Sequence, residues 1–91
     1  MAYATSNPPE LVVGTQAFRI WAYKSTDAAT AVRVSGYFTN GYALGMRAGD
    51  LVIVVDTDAS PIAMQQCIVT SATSSAVDLS DGVAVTATDT D

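Results

Sequence analysis

Two carboxylates at the end of an aliphatic run are the residues of this chain with the clearest potential for chemistry. The segment from Leu51 to Val55 is wholly aliphatic and leads into Asp56, and Asp58 follows after one residue. An apolar strand that brings two aspartates to one point can place a nucleophile and a general acid beside a phosphoryl group. The same pair can hold a divalent metal ion. Either activity requires further groups from the rest of the chain.

Those further groups are missing for phosphoryl transfer. A lysine would have to neutralise the phosphoryl oxygens, yet Lys24 is the only lysine in the sequence. The parallel α/β sheet that displays such a site needs repeated crossovers of about a dozen or more residues each, and the 91 residues contain no repeated βα pattern. Calcium remains an alternative because Asp56, Asp58 and loop carbonyls offer several oxygen ligands, although no Asp-rich loop is present. The segment from Asp56 to Pro61 is therefore predicted to be a turn in which Asp and Ser satisfy backbone donors.

The residue inventory also argues against other catalytic sites. The chain has no histidine, which removes the Ser-His and Cys-His pairs of nucleophilic catalysis. Cys67 is the single cysteine, so the usual zinc ligand sets cannot form, and its apolar strand context predicts a small core residue. The glycines at 41 and 45 lack the lysine of a phosphate-binding loop. We therefore predict a protein that is not an enzyme, with no catalytic residues, cofactor or metal.

The charge balance and length indicate which partners to expect. Nine acidic residues against four basic ones give a net charge of −5, which repels phosphate backbones and anionic lipid. Neither nucleic acid nor membrane is expected as a partner. The N-terminus lacks the basic and apolar regions of a signal peptide, which predicts synthesis in a cytoplasm. A chain this short buries only about 60–65% of its unfolded surface, so association with other subunits is expected to stabilise it.

The pattern of apolar and turn residues predicts a mainly β fold. Pro8-Pro9 bars a helix near the N-terminus, and residues 1–16 are predicted to be an extended arm before a single β-rich domain over 17–91. The domain is expected to be a small antiparallel barrel or sandwich of five to six short strands with one helical turn. Asp81-Gly82 between short β segments predicts a closing hairpin. The predicted elements are strands at 17–24, 51–55, 62–70, 76–79 and 83–86, with 51–55 and 62–70 antiparallel, and a helical turn at 28–33.

Aromatic residues in these elements are the candidate contacts with other subunits. In the strand at 17–24, Phe18, Ile20 and Ala22 fall on one face, and Arg19, Trp21 and Tyr23 fall on the other. Trp21 and Tyr23 can pack in the chain's own core or against a second subunit, and the sequence leaves both open. The arm is either a disordered tail or a segment that lies along a neighbour and is anchored by Tyr3. The candidate interface residues are Tyr3, Phe18, Trp21, Tyr23, Tyr37 and Phe38.

Several short motifs carry a resemblance to a known family. Gly36-Tyr37-Phe38 is followed by Ala43 to Met46, then by Gly49-Asp50 and the aliphatic strand, by Val69-Thr70, and by the segment from Val77 to Gly82. In this order the motifs resemble those of a family of small virion proteins of tailed bacteriophages. The resemblance covers about residues 17–86.

The resemblance implies a non-enzymatic virion component, either a capsid decoration (cement) protein or the base of a head or tail fibre. Such proteins are commonly trimers seated on the lattice of the major capsid protein. No fibre shaft follows within the 91 residues, which favours the decoration protein. The alternative is a fibre or adhesion module that recognises a cell-surface carbohydrate, with Trp21, Tyr23 and Tyr42 as stacking platforms.

Overall fold

The computed structural model describes residue 3 and residues 6–15, 17–59 and 62–85. Within these residues the chain forms six strands and two short helices, and no helix is long and apolar enough to cross a membrane. The helical turn predicted at 28–33 is confirmed as α1. The elements are β1 (Glu10–Gly14), β2 (Arg19–Ser25), α1 (Ala29–Val32), α2 (Gly41–Leu44), β3 (Leu51–Asp56), β4 (Ala63–Ala72), β5 (Val77–Leu79) and β6 (Val83–Val85).

The strands form one mixed sheet in the order β1-β2-β3-β4-β5, with β6 also paired to β4. The prediction of a mainly β fold is confirmed, as is the antiparallel pairing of β3 with β4, in which Leu51 lies opposite Ile68. The sheet is not wholly antiparallel, because β2 and β3 run parallel. A parallel pair needs a long crossover, and the segment that holds α1 and α2 supplies it. Over the described residues β1 and β5 lie at opposite ends of the strand order, so the sheet does not close into a barrel.

Residues 10–14, which the sequence places in the extended arm, form strand β1 along one edge of the sheet. This strand pairs antiparallel with β2, with Glu10 opposite Ala22 and Gly14 opposite Arg19. Thr15 closes the connection, since its amide donates to the Phe18 carbonyl at 2.8 Å and its hydroxyl oxygen accepts from the Phe18 amide at 3.0 Å. The prolines before β1 exclude a helix but leave an edge strand possible.

The hairpin predicted at Asp81-Gly82 is wrong. The strands β5 and β6 on either side of it pair with β4 rather than with each other, so residues 77–85 run along one edge of β4. Gly82 has a φ of +76°, which lets the chain bend between the two short strands. The hairpin turn lies instead at residues 73–76, where the Thr73 amide donates to the Ala76 carbonyl at 2.8 Å.

The core lies between one face of the sheet and the crossover that holds α1 and α2. Trp21, Val52 and Cys67 lie side by side on neighbouring strands, and all three are buried. Phe38 and Met46 from the crossover are also buried and cover this face. Trp21 and Tyr23 thus pack in the chain's own core, the first of the two alternatives left open by the sequence. Cys67 is confirmed as a buried core residue.

Candidate interaction surface

The aspartate pair Asp56 and Asp58 forms a turn. Asp56 ends β3, and its Oδ1 accepts a hydrogen bond from the Asp58 amide at 3.0 Å. The Thr57 amide between them donates to the Ser25 carbonyl at 2.8 Å. Over the part of the chain that the structure describes, no group of three or more His, Cys, Asp or Glu residues is arranged to hold a metal ion. The turn predicted from Asp56 to Pro61 is confirmed over residues 56–59, and residues 60 and 61 lie outside the described residues.

Asp50, which the sequence indicates only as a turn residue, is the centre of a buried polar network. Asp50 is 1% exposed, and its carboxylate accepts hydrogen bonds from the Trp21 indole nitrogen at 3.0 Å and the Arg47 amide at 3.0 Å. The Arg19 guanidinium forms an ion pair with the same carboxylate at 3.3 Å. A buried charge is tolerated when it is paired and fully hydrogen-bonded. The network ties the start of β3 to β2 and has a structural role.

The predicted interface aromatics are mostly enclosed by the chain itself. Trp21, Tyr23 and Phe38 are 3%, 2% and 1% exposed. Tyr3 and Tyr37 are half-buried and pack against the core. Phe18, just before β2, keeps the most surface of the six predicted residues, at 44% exposure.

The rings predicted to stack on a carbohydrate offer little free surface. Trp21 and Tyr23 are buried, and the Tyr42 ring is half-buried with the Arg47 guanidinium carbon 3.7 Å from its centroid. A sugar needs an accessible ring face to stack on. This arrangement therefore gives no support to a carbohydrate site at these three residues.

Buried Tyr23, half-buried Tyr37 and buried Asp27 form a hydrogen-bonded chain beside the core. The Tyr37 hydroxyl donates to the Asp27 carboxylate at 2.5 Å and lies 2.9 Å from the Tyr23 hydroxyl. The bond from Tyr37 lowers the pKa of Asp27, outweighing the opposing effect of burial. Burial, reinforced by the bond to Asp27, raises the pKa of Tyr37 well above the usual range of a tyrosine.

This chain of hydrogen bonds predicts a loss of stability at both ends of the pH scale. Asp27, with its lowered pKa, stabilises the fold above about pH 4, and that contribution is lost as the pH falls further. Tyr37, with its raised pKa, stabilises the fold below about pH 10, and that contribution is lost as the pH rises further. Urea denaturation followed by circular dichroism across this range is the measurement. The variant Tyr37→Phe should reduce the acid dependence, and an unchanged acid limb would contradict the assignment to Asp27.

The opposite face of the sheet is apolar and keeps its access to solvent. Paired residues of neighbouring strands point to the same side, so Ile20, Leu51 and Ile68 share one row. The next row consists of Ala22, Ile53, Gln66 and Val83, in which Gln66 is the polar member. We call this surface the open face. Its apolar members are Val13, Ile20, Ala22, Leu51, Ile53, Val55, Met64, Ile68, Val83 and Val85, of which Val55 is buried.

Four apolar side chains of the open face are well exposed. Val13, Ile68, Val83 and Val85 are 49%, 48%, 71% and 42% exposed. Five strands about 4.8 Å apart and about 3.3 Å per residue make a face of roughly 20 by 20 Å, or about 400 Å². The largest apolar patch of a typical soluble monomer covers about 300–600 Å² and is often functional. The open face is therefore the candidate functional surface of this chain.

The sequence did not single out most of the open face. The segment from Leu51 to Val55 is aliphatic throughout, so it shows no alternation that would assign one face to the core. Ile20 and Ala22 were correctly placed together on one face of β2. The candidate interface residues Trp21 and Tyr23 lie on the other face of β2, which is buried.

Comparisons with protein-family models, with curated proteins and with solved structures find no match for this chain. The resemblance to phage virion proteins stays a prediction.

Proposed function

We propose that this chain is a non-enzymatic structural protein of a bacteriophage virion, a capsid decoration protein that acts as a homo-oligomer on the major capsid protein. The observation that carries the proposal is the open face. An apolar sheet face of this size on a chain of 91 residues is well suited to contact with another protein subunit. A trimer is the expected order, made in the host cytoplasm and incorporated into the virion.

The charge distribution supports the same proposal. A net charge of −5 keeps a protein with an apolar face soluble before assembly and works against binding to nucleic acid. Glu10 and Lys24, which pair with open-face positions of neighbouring strands, are both exposed. Charges at the margin of an apolar patch contribute more to the orientation of a binding partner than to its affinity.

Binding to capsids is the direct test of the proposal. The purified chain should be an oligomer by light scattering and should co-sediment with expanded heads of the phage that encodes it. Bound heads should resist heat or chelators better than bare heads. A chain that is monomeric and does not bind such heads would refute the proposal.

Lysine substitutions on the open face should separate self-association from folding. Ile68→Lys and Val83→Lys, combined in one chain, place two charges where apolar contacts are expected, and burying each unpaired charge is costly. Because both side chains are already exposed, the fold should be retained by circular dichroism. Association measured by sedimentation should weaken on the order of 100-fold. Ser74→Lys in the β4–β5 turn is the matched control and should associate as the wild type does; equal association of both variants would exclude the open face.

A further inference from the structure

An aromatic recess beside the core holds the side chain of Tyr3. The Tyr3 ring lies 5.3 Å from the Phe38 ring, 5.6 Å from Tyr37 and 6.1 Å from Tyr23, measured between centroids. Tilted and edge-to-face geometries at these separations are favourable for aromatic pairs. The recess therefore matches one aromatic side chain in both size and orientation.

Asn40 provides a hydrogen-bond acceptor for the phenol hydroxyl in this recess. The Tyr3 hydroxyl donates to the Asn40 Oδ1 at 2.5 Å. Asn40 stands directly before α2, where an asparagine usually caps the helix with its side chain, yet it makes no such cap bond. Its amide oxygen is instead committed to a residue 37 positions earlier in the chain.

Residues 6–9, which lie between Tyr3 and β1 in the sequence, make contacts that a second copy can reproduce. Ser6, Asn7 and Pro8 are exposed, and Pro9 is buried just before β1. The Asn7 side-chain amide donates to the Lys24 carbonyl at 2.8 Å. Exchange of an identical element between subunits recreates every contact at little cost. The Pro8-Pro9 pair restricts this segment to an extended conformation.

We propose that the recess formed by Tyr23, Tyr37, Phe38 and Asn40 is a tyrosine-binding site that accepts the N-terminal segment of a second copy of this chain. In a single chain Tyr3 fills its own recess. In an assembly the same side chain fills the recess of a neighbour and links the two subunits. The linking of two subunits rests on the proposed function. Binding of a tyrosine-containing segment from a separate molecule does not.

Peptide binding tests the site without reference to capsids or oligomers. A full-length chain carrying Tyr3→Ala has an empty recess, and a peptide of residues 1–9 is titrated into it by isothermal calorimetry. The peptide should bind at least about tenfold tighter than the same peptide with Tyr3→Ala. The wild-type chain should bind the peptide more weakly, because its own Tyr3 competes at high effective concentration.

The hydrogen bond to Asn40 provides a control for non-specific adhesion. A peptide with Tyr3→Phe keeps the ring and loses the hydroxyl, so it should bind the empty recess more weakly than the natural peptide. In a chain that carries both Tyr3→Ala and Asn40→Ala, the two peptides should bind equally, as a double-mutant cycle requires. Equal binding of the natural, phenylalanine and alanine peptides to the chain with Asn40 would overturn the proposal.

A chain that unfolds when Tyr3 is replaced still gives a decisive result. A peptide that binds the folded state selectively shifts the equilibrium towards it. The natural peptide should then restore the circular dichroism of the fold, and the alanine peptide should not. Absence of both binding and refolding overturns the site, while capsid binding by the wild-type chain would leave the proposed function intact.

Discussion

Replacing Asp50 with alanine should lower the free energy of unfolding by about 3–6 kcal/mol, because two hydrogen bonds to a buried carboxylate, worth about 1.5–3 kcal/mol each, are lost. The substitution leaves the Trp21 indole and the Arg47 amide without their acceptor and the Arg19 guanidinium without its partner. A buried donor left unpaired bears its full desolvation cost. Urea denaturation followed by the fluorescence of Trp21, the single tryptophan, measures the loss.

Two further variants make this prediction specific to the network. Asp50→Asn keeps the side-chain volume and one oxygen acceptor but places an amide NH₂ group opposite one of the donors. The free energy of unfolding should therefore fall less than it does for Asp50→Ala. Asp58→Asn removes a carboxylate from an exposed turn and should change stability by less than about 0.5 kcal/mol. Similar losses for Asp50→Ala and Asp58→Asn would show that the buried network does not stabilise the fold.

Gly82→Ala should destabilise the protein by about 2–4 kcal/mol, because it combines backbone strain with a steric clash. A Cβ at this position would lie 2.4 Å from the Gln66 carbonyl oxygen and 2.8 Å from the Cys67 sulfur. The φ of +76° adds the penalty of a left-handed conformation for a residue with a side chain. The β5–β6 edge would have to move away from β4. Thermal denaturation, with hydrogen exchange of the β6 amides, detects both effects.

Gly36→Ala is the matched control for the steric part of this effect. Gly36 has a similar φ of +85°, but a Cβ there meets nothing within 4 Å. Its replacement should cost about 1–2 kcal/mol, the strain alone. The difference between the two variants measures the close approach of the bend at Gly82 to β4. Equal losses of unfolding free energy in the two variants would mean that the β5–β6 edge can move away from β4 without cost.

Local sequence patterns were enough to find most of the secondary structure. The alternation around Trp21 identified β2 and its two faces, and the aliphatic run from Leu51 identified β3. The turn residues that begin at Asp56 separated β3 from β4. These signals succeed because they depend on residues within one turn or one strand of each other.

The pairing of the strands depended on contacts that no local pattern contains. Asp81-Gly82 has the composition of a hairpin turn, but the partner of both flanking strands is β4. The edge of β4 offers a longer ladder than β5 and β6 can offer each other. Similarly, the parallel pairing of β2 with β3 follows from the crossover that packs Phe38 and Met46 on the sheet.

The sequence by itself determined that this is an acidic, mainly β chain without histidine, because composition and short-range alternation are properties of the residues alone. Only the tertiary structure decided which face of the sheet is covered, that Asp50 is a buried hub and that Tyr3 reaches Asn40. Each of these depends on residues about 20–40 positions apart meeting in the fold. The physical reason is that both sheet faces are apolar. Packing of the crossover on one of them leaves the other, the open face, exposed to solvent.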